Sequence, residues 1–493
     1  MSALQQFEAA LARALQAGLR GAVIVTDEEH RALASLEQIA RALAWPSHTW
    51  SAASGVDADG KRRSLAELLA GLRGGSDDAL WIVFDGGTAL DPVASRALRE
   101  AAQRVDGPAL VLVEPTAGVA MTQRVPELAR LELPGPDAAE LEARVAEVGA
   151  ALERGGWAGA RERLIAASRP IVRAALGLPL HAFERLLAEA VLVHGLDPAA
   201  IARFVRAAKP HAIAGSGLLE SVTPRRRDAI GGLDGFLRWL AQRRASFEPE
   251  AAAWGVGPAR GCLLVGVQGC GKSLAARVCA HELDLPLLRL EPGRLFGGTV
   301  GESEANLRRA LAEVDRMAPA VLWIDELDKG FAGADGAASD AGTAARVLGG
   351  LLTWLQERSR PVFVVATANR VELLPAELLR RGRLDEIFFV DLPGADEREA
   401  IARVHLGDAP AKAQPSAAEL GELLSIARAA EGYSGAELAA AVAEARLAAF
   451  GERRPLAATD LRAAIDAMIP LSVLRAEDIE RLRRWAERRA RRA

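Results

Sequence analysis

The chain has 493 residues, half of them apolar, and 61 Lys plus Arg stand against 65 Asp plus Glu for a net charge of −4. That length supports two to four domains with large cores, and the balanced charge gives no global field for wrapping nucleic acid or coating a membrane. Three cysteines without C-x-x-C spacing, seven scattered histidines and no apolar run near the roughly 18 residues of a membrane helix argue against a disulfide framework, a ligand cluster, export or membrane insertion, so a cytoplasmic setting is expected.

In chain order, an amphipathic first helix precedes the apolar strand GAVIV at Gly21, and further strands follow in LWIVFD, ending at Asp85, and PALVLVEPT. The series then repeats. GCLLVG at Gly261 lies 240 residues beyond Gly21, and the same offset carries Asp85 onto Asp325 at the end of VLWID. PALVLVEPT resembles PVFVVATAN, two LPG turns match, and RAALGLPLHAFERLLAEA resembles RAAEGYSGAELAAAVAEA. Continuous apolar strands alternating with helical stretches indicate βαβ units and a buried parallel sheet. The expected fold class is therefore α/β: two α/β modules, each with a helical lid. Expected boundaries are 1–136 for the degenerate α/β domain, 137–220 for its lid-like helices and linker, 221–395 for the second α/β domain, and 396–493 for a lid ending in a basic helix.

The second copy carries the chemistry. GVQGCGKS, from Gly266 to Ser273, fits G-x-x-x-x-G-K-[ST], follows a strand and opens the helical stretch SLAARVCAHEL. Glycines let successive N–H groups turn toward phosphate oxygens, and the helix start adds partial positive charge. Gly266, Val267, Gln268, Gly269, Cys270, Gly271, Lys272, Ser273 and Leu274 form the expected phosphate site, with Lys272 on the β- and γ-phosphates and Ser273 on Mg²⁺. Downstream, Asp325 is the expected metal-side carboxylate and Glu326 the general base that activates water. The first copy reads TDEEHRAL at the phosphate position, with Ala32 and Leu33 in place of the lysine and serine. Its acids repel phosphate, so nucleotide is not expected there: of two P-loop-NTPase-like modules the first is degenerate and the second intact.

As an ordered set, GVQGCGKS, LWIDELDKGF, ATAN, AELLRRGRLDEIFF, TVGESEANLR and GYSGAEL resemble the AAA+ ATPases of the AAA clade, over about Ala229 to Glu444. The degenerate first module, the wording LFGGTVGESE and the ending PLSVLRAEDIERLRRWAERRARRA are similar to the AAA-domain family named for hypothetical chloroplast reading frame forty-six. The resemblance implies ATP and Mg²⁺ as cofactors, ATP hydrolysis as the activity, and a homo-oligomeric ring, expected to be a hexamer. It makes Asn369 the group that orients the lytic water, and Arg380 and Arg383 the fingers that reach a neighbouring subunit's nucleotide. Gly435 and Ala436 match the lid pair near the nucleotide, and Ile230 and Gly231 match the stretch that receives adenine. Arg381 stands where the family usually has proline.

In threading members of the clade the residue corresponding to Thr299 is aromatic and grips extended polypeptide in a central pore. Thr299 and Val300 offer little apolar area, with Phe296 three residues before Thr299, and this favours remodelling of a protein partner over processive unfolding. The run from Gly330 to Arg346 is expected to form a second flexible loop on the same face. Ile479, Leu482 and Trp485 recur at helical spacing in the arginine-rich end, which reads as an amphipathic helix packed on the motor. Three function classes follow: an ATP-driven ring that remodels a protein, a slow nucleotide-gated switch or scaffold, and a nucleic-acid motor, the last disfavoured by net charge and by the lack of interleaved aromatic and basic residues. Cys270 inside the phosphate motif raises a redox switch as an option, against the plainer reading of a small filler residue.

Overall fold

The computed structural model describes residues 2–55, 62–72, 75, 77–115, 125–213, 217–297, 301–330, 341–374, 376–380, 382–407 and 415–493. Thr299, Val300, Arg381 and residues 331–340 of the second expected loop lie outside them. The chain divides into two compact units, Met1–Ala202 and Arg203–Ala493.

In the first unit the apolar runs become strands β1 (Gly21–Val25), β2 (Ser47–Ser51), β3 (Leu80–Phe84), β4 (Ala109–Glu114) and β5 (Ala129–Glu132). They form one parallel sheet in the order β2-β3-β4-β1-β5. Side chains alternate across a strand, so neighbouring residues of one apolar run serve opposite layers. Ile24 and Ile82 face helices Ala3–Gln16 and Glu29–Leu43 through Leu15, Leu36 and Ile39. Val23 and Val83 face helices Leu65–Leu72 and Pro92–Ala102 through Leu65, Leu68 and Leu98. A run of helices from Ala138 onward follows the sheet.

The second unit contains β6 (Leu219–Val222), β7 (Gly261–Gly266), β8 (Leu287–Leu290), β9 (Ala320–Ile324), β10 (Val362–Ala368), β11 (Glu386–Val390) and β12 (Arg491–Arg492). The sheet order is β12-β11-β7-β10-β9-β8-β6, antiparallel at β6 and parallel elsewhere. Without its two edge strands the order is β8-β9-β10-β7-β11, matching the first unit strand for strand. The repeat seen in the sequence is thus a repeat of topology. Register sharpens the comparison: Phe84 pairs with Val113 and Ile324 with Ala366, so Glu114 and Thr367 are the next residues on equivalent strands. Glu114 is buried, accepts the Gly87 N–H at 2.9 Å, and burial pushes its carboxyl pKa up to about 7.

One face of the second sheet packs on helix Asp234–Arg244 and helix Lys272–Leu283, where Trp239 meets Phe363 and Phe388 at ring distances of 6.2 and 5.2 Å. The other face packs on helices Glu302–Met317 and Ala341–Glu357. Helices Ala395–Gly407, Ala417–Ala429, Gly435–Gly451 and Ala458–Asp466 close a separate small core around Leu423, Leu438, Val442 and Leu461. The Tyr433 hydroxyl staples this lid by donating within 2.8 Å of the carbonyls of Ile465 and Met468. Helix Ala476–Ala486, expected as an amphipathic helix packed on the motor, lies there: Leu482 and Ala486 join the α/β core, and β12 joins the sheet itself. The physical reason is that Ile479, Leu482 and Trp485 need an apolar surface, and the lid core is already closed.

Trp239 is 1% exposed and sits among aromatic rings, so Trp239→Ala is expected to cost about 3–5 kcal/mol of unfolding free energy. Chemical denaturation measures this, and a parental midpoint would contradict the packing.

Candidate active site

β7 ends in Gly266 and helix Lys272–Leu283 begins at Lys272, leaving Val267–Gly271 to turn the chain. Gly266, Gly269 and Gly271 adopt φ of 152°, 77° and 92°, a region that side chains rarely tolerate. A Cβ on Gly266 would lie 2.0 Å from the Val390 carbonyl oxygen, whereas one on Gly271 would meet no described atom within 4 Å. The turn is therefore packed against β11 at its start and open at its end. The Val267 N–H donates to the Val390 carbonyl at 3.0 Å, fixing that start. Val267 is buried, Gln268 and Ser273 are exposed, and Cys270 and Leu274 are half-buried. Burial pushes the Cys270 thiol up to about 12, which keeps it protonated near neutral pH and weighs against the redox option.

Lys272 is 7% exposed, and its Nζ donates to the carbonyls of Gly266 at 2.9 Å and Val267 at 2.7 Å. Burial lowers the ammonium pKa to about 8, opposed by the nearby charges of Asp328, Asp325 and Glu326. The site thus holds a buried cation facing three carboxylates.

Those acids lie where β9 ends. The Thr367 hydroxyl donates to Asp325 Oδ1 at 2.8 Å and accepts the Glu326 N–H at 3.0 Å, tying the end of β9 to the end of β10. Glu326 has φ 51°, a left-handed conformation that costs about 1–3 kcal/mol in a non-glycine residue. Its carboxylate is partly exposed, and Lys329 Nζ stands 2.6 Å from Oε1. Asp328 is buried and accepts the backbone N–H groups of Asn369 at 3.2 Å and Arg370 at 3.1 Å, which sets Asn369 at the mouth of the same sheet edge.

The lid reaches the turn. Ser434 and Glu437 form a capping box that starts helix Gly435–Gly451, and the Ala436 N–H donates to the Gly269 carbonyl at 3.0 Å. Gly435 lies against Gly269 and Ile401, and a Cβ on Gly231 would be 2.5 Å from the Ile401 nitrogen. Gly231, Cys270 and Gly435 line one cleft, and Ala436 is hydrogen-bonded to its turn through Gly269. Arg380 is exposed and Arg383 half-buried, and neither side chain makes a hydrogen bond or ion pair with this group among the described residues. Arg383 Nη1 is buried without an acceptor there.

Three residues were missed by the sequence reading: Thr367, which ties Asp325 to β10, Asp328, which anchors Asn369, and Arg289. Arg289, on β8, sets its Nη2 2.7 Å from Asp325 Oδ2 and its guanidinium 4.8 Å over the Trp323 ring. The signal for Arg289 was present in LLRL, a cation inside a short apolar strand, which buries only when paired.

The first unit handles the equivalent position differently. Arg31 holds Glu140 through two bonds of 2.8 Å and Glu28 at 3.3 Å, and Glu28 accepts the Leu180 N–H at 2.7 Å. An ion network ties that turn to Glu140 and Leu180.

Thr367→Val leaves an Asp325 oxygen and the Glu326 N–H without this partner, and a loss of about 1–3 kcal/mol is expected from denaturant titration. Unchanged stability would show that the hydroxyl bridge carries no weight.

Comparison with known proteins gives two family matches. Residues 262–392 match the ATPase family associated with various cellular activities (AAA), and residues 7–129 match the SpoVK-like AAA ATPase, N-terminal domain. The chain is 40% identical over 318 residues to the "Uncharacterized AAA domain-containing protein ycf46" of Trieres chinensis, covering 64% of this chain and 63% of the relative. It is 44% identical over 257 residues to the protein of the same name from Pyropia yezoensis, covering 52% and 51%, and 40% identical over 317 residues to that of Guillardia theta, covering 64% and 62%. The chain thus spans between half and two thirds of the length of these relatives. With the glycine turn, the buried lysine, the paired acids and the lid contact in one unit, the second unit is similar to the AAA family of ATPases over residues 262–392.

Proposed function

We propose that the second unit binds and hydrolyses ATP and that oligomeric rings of this chain use the turnover to remodel a protein partner in the cytoplasm. The observation that supports this best is Lys272, a buried ammonium beside an open glycine turn and facing Asp325, Glu326 and Asp328. A triphosphate with its divalent ion fits the residues present. Gly271 faces open space, Lys272 supplies charge, and Ser273 and Asp325 offer hard oxygens. In this assignment Ser273 and Asp325 hold Mg²⁺, which when bound places positive charge against the β- and γ-phosphates. Backbone N–H groups of the turn and Lys272 bind the phosphates, while Ile230, Gly231, Gly435 and Ala436 enclose the base end of the cleft.

Glu326 removes a proton from the attacking water, and its strained backbone holds the carboxylate clear of the strand. Asn369, anchored through Asp328, orients that water. Arg289 and Thr367 are positioning residues that fix the Asp325 carboxylate from two sides. Among the described residues Arg380 and Arg383 have no hydrogen-bond or ion-pair partner in their own site, which suits fingers that complete a neighbour's site. The four-part division at 136/137, 220/221 and 395/396 is carried with this reading, and so is a first module that binds no nucleotide, since Arg31 and its acids occupy its turn.

Lys272→Ala is expected to abolish ATP binding, while Glu326→Gln retains binding and slows turnover by about 10²-fold or more. Parental turnover in Glu326→Gln would remove the base assignment. Arg383→Ala should lower turnover with binding retained, and sedimentation should show an ATP-dependent oligomer; a fully active monomer would contradict the finger role.

The ammonium of Lys272 is charged below about pH 8 and neutral above it, and bound phosphates favour the charged form. Raising pH from 7 to 9 should therefore weaken ATP binding about tenfold, with proton uptake on binding at the higher pH. Calorimetry in buffers of different ionisation enthalpy measures both, and pH-independent affinity would contradict the lowered pKa.

A further inference from the structure

The last residues of the chain line the same cleft. Arg492 and Ala493 stand in its wall with Gly231, Leu233, Cys270 and Gly435. They are held there by pairing rather than by chance proximity. Arg491 and Arg492 pair in parallel with Phe388 and Phe389, and the Ala493 N–H donates to the Phe389 carbonyl at 3.1 Å. Ala493 packs against the core cluster that includes Phe236, Trp239 and Phe388. Gly235, in the first turn of its helix, leaves room for this backbone: a Cβ there would lie 2.9 Å from the Arg492 carbonyl oxygen and 3.1 Å from Ala493. Upstream, Arg483 clamps Asp391, another lining residue, with Nε 3.0 Å from Oδ2.

We infer that strand β12 is a structural wall of the nucleotide pocket and that its docking on β11 sets nucleotide affinity, an inference that rests on the nucleotide reading above. The physical link is short. β12 fixes the edge of β11, β11 pairs with β7, and the Val390 carbonyl of β11 receives the Val267 N–H that opens the phosphate turn. The wall combines strand backbone, the small Ala493 and the guanidinium-bearing Arg492, a surface that accepts the flat face of a nucleobase. Because the segment arrives from the lid side of the chain, where the Leu471 N–H donates to Glu437 Oε1 at 2.7 Å, base-end contacts and lid placement share one element.

The test uses a fluorescent ATP analogue with Mg²⁺ and three proteins: the full chain, a chain ending at Ala490, and Gly235→Val, whose added side chain pushes the strand away without altering a lining residue. Both altered proteins should bind the analogue at least tenfold more weakly while unfolding near the parental denaturant midpoint. On the full chain, saturating ATP should slow amide hydrogen exchange at residues 487–493, a readout that needs no variant. Affinity within twofold of the parent in both altered proteins, or exchange at 487–493 that ATP leaves unchanged, overturns the inference while the nucleotide reading stands. Failure of the full chain to bind the analogue overturns both.

Discussion

A buried ammonium group has to find oxygen atoms, and in this protein that requirement organises the second unit. Lys272 satisfies it with two carbonyls of its own turn, Gly266 and Val267, while Asp325, Glu326 and Asp328 lower the cost of keeping the charge inside. The glycines at 266, 269 and 271 allow the turn to fold back far enough for this. The parallel register of β9, β10 and β7 delivers the acids to the same edge, and the lid contributes the Ala436 N–H to the Gly269 carbonyl of the turn. Phosphate oxygens would take over from the two carbonyls, so the arrangement holds the charge ready for an anion.

Strain and order are distributed around that cation in a consistent way. The left-handed Glu326 is tolerated because Thr367 binds its N–H and the following helix begins at Leu327. The Asp325 carboxylate is held by Arg289 and Thr367 before any metal arrives, which lowers the entropy lost on binding one. The first unit shows the same strand order used without the cation. Its turn has Glu28 and Arg31 locked to Glu140 and Leu180, so one topology serves as a binding edge in one unit and as a closed ion network in the other.

Much of this was legible in the sequence, for a physical reason. Phosphate chemistry constrains neighbouring residues along the backbone, so Gly266 to Ser273 announces itself locally, and buried parallel strands announce themselves as unbroken apolar runs. The repeat GAVIV and GCLLVG foretold the repeated strand order. Contacts that depend on register across the sheet were harder to see. Arg289 meets Asp325 only because β8 pairs with β9, and Asp328 meets Asn369 only because β9 pairs with β10. The terminal strand was hidden by its composition: Arg491 and Arg492 carry no apolar signal, and they pair at a sheet edge through backbone groups alone.

The most direct measurement of the account is a crystal structure of the full chain with Mg²⁺ and a non-hydrolysable ATP analogue. Phosphates are expected within the turn 266–273, with Lys272 Nζ transferred from the Gly266 and Val267 carbonyls to phosphate oxygens. A turn still closed on its own lysine, with the analogue bound elsewhere or absent at saturating concentration, would contradict it.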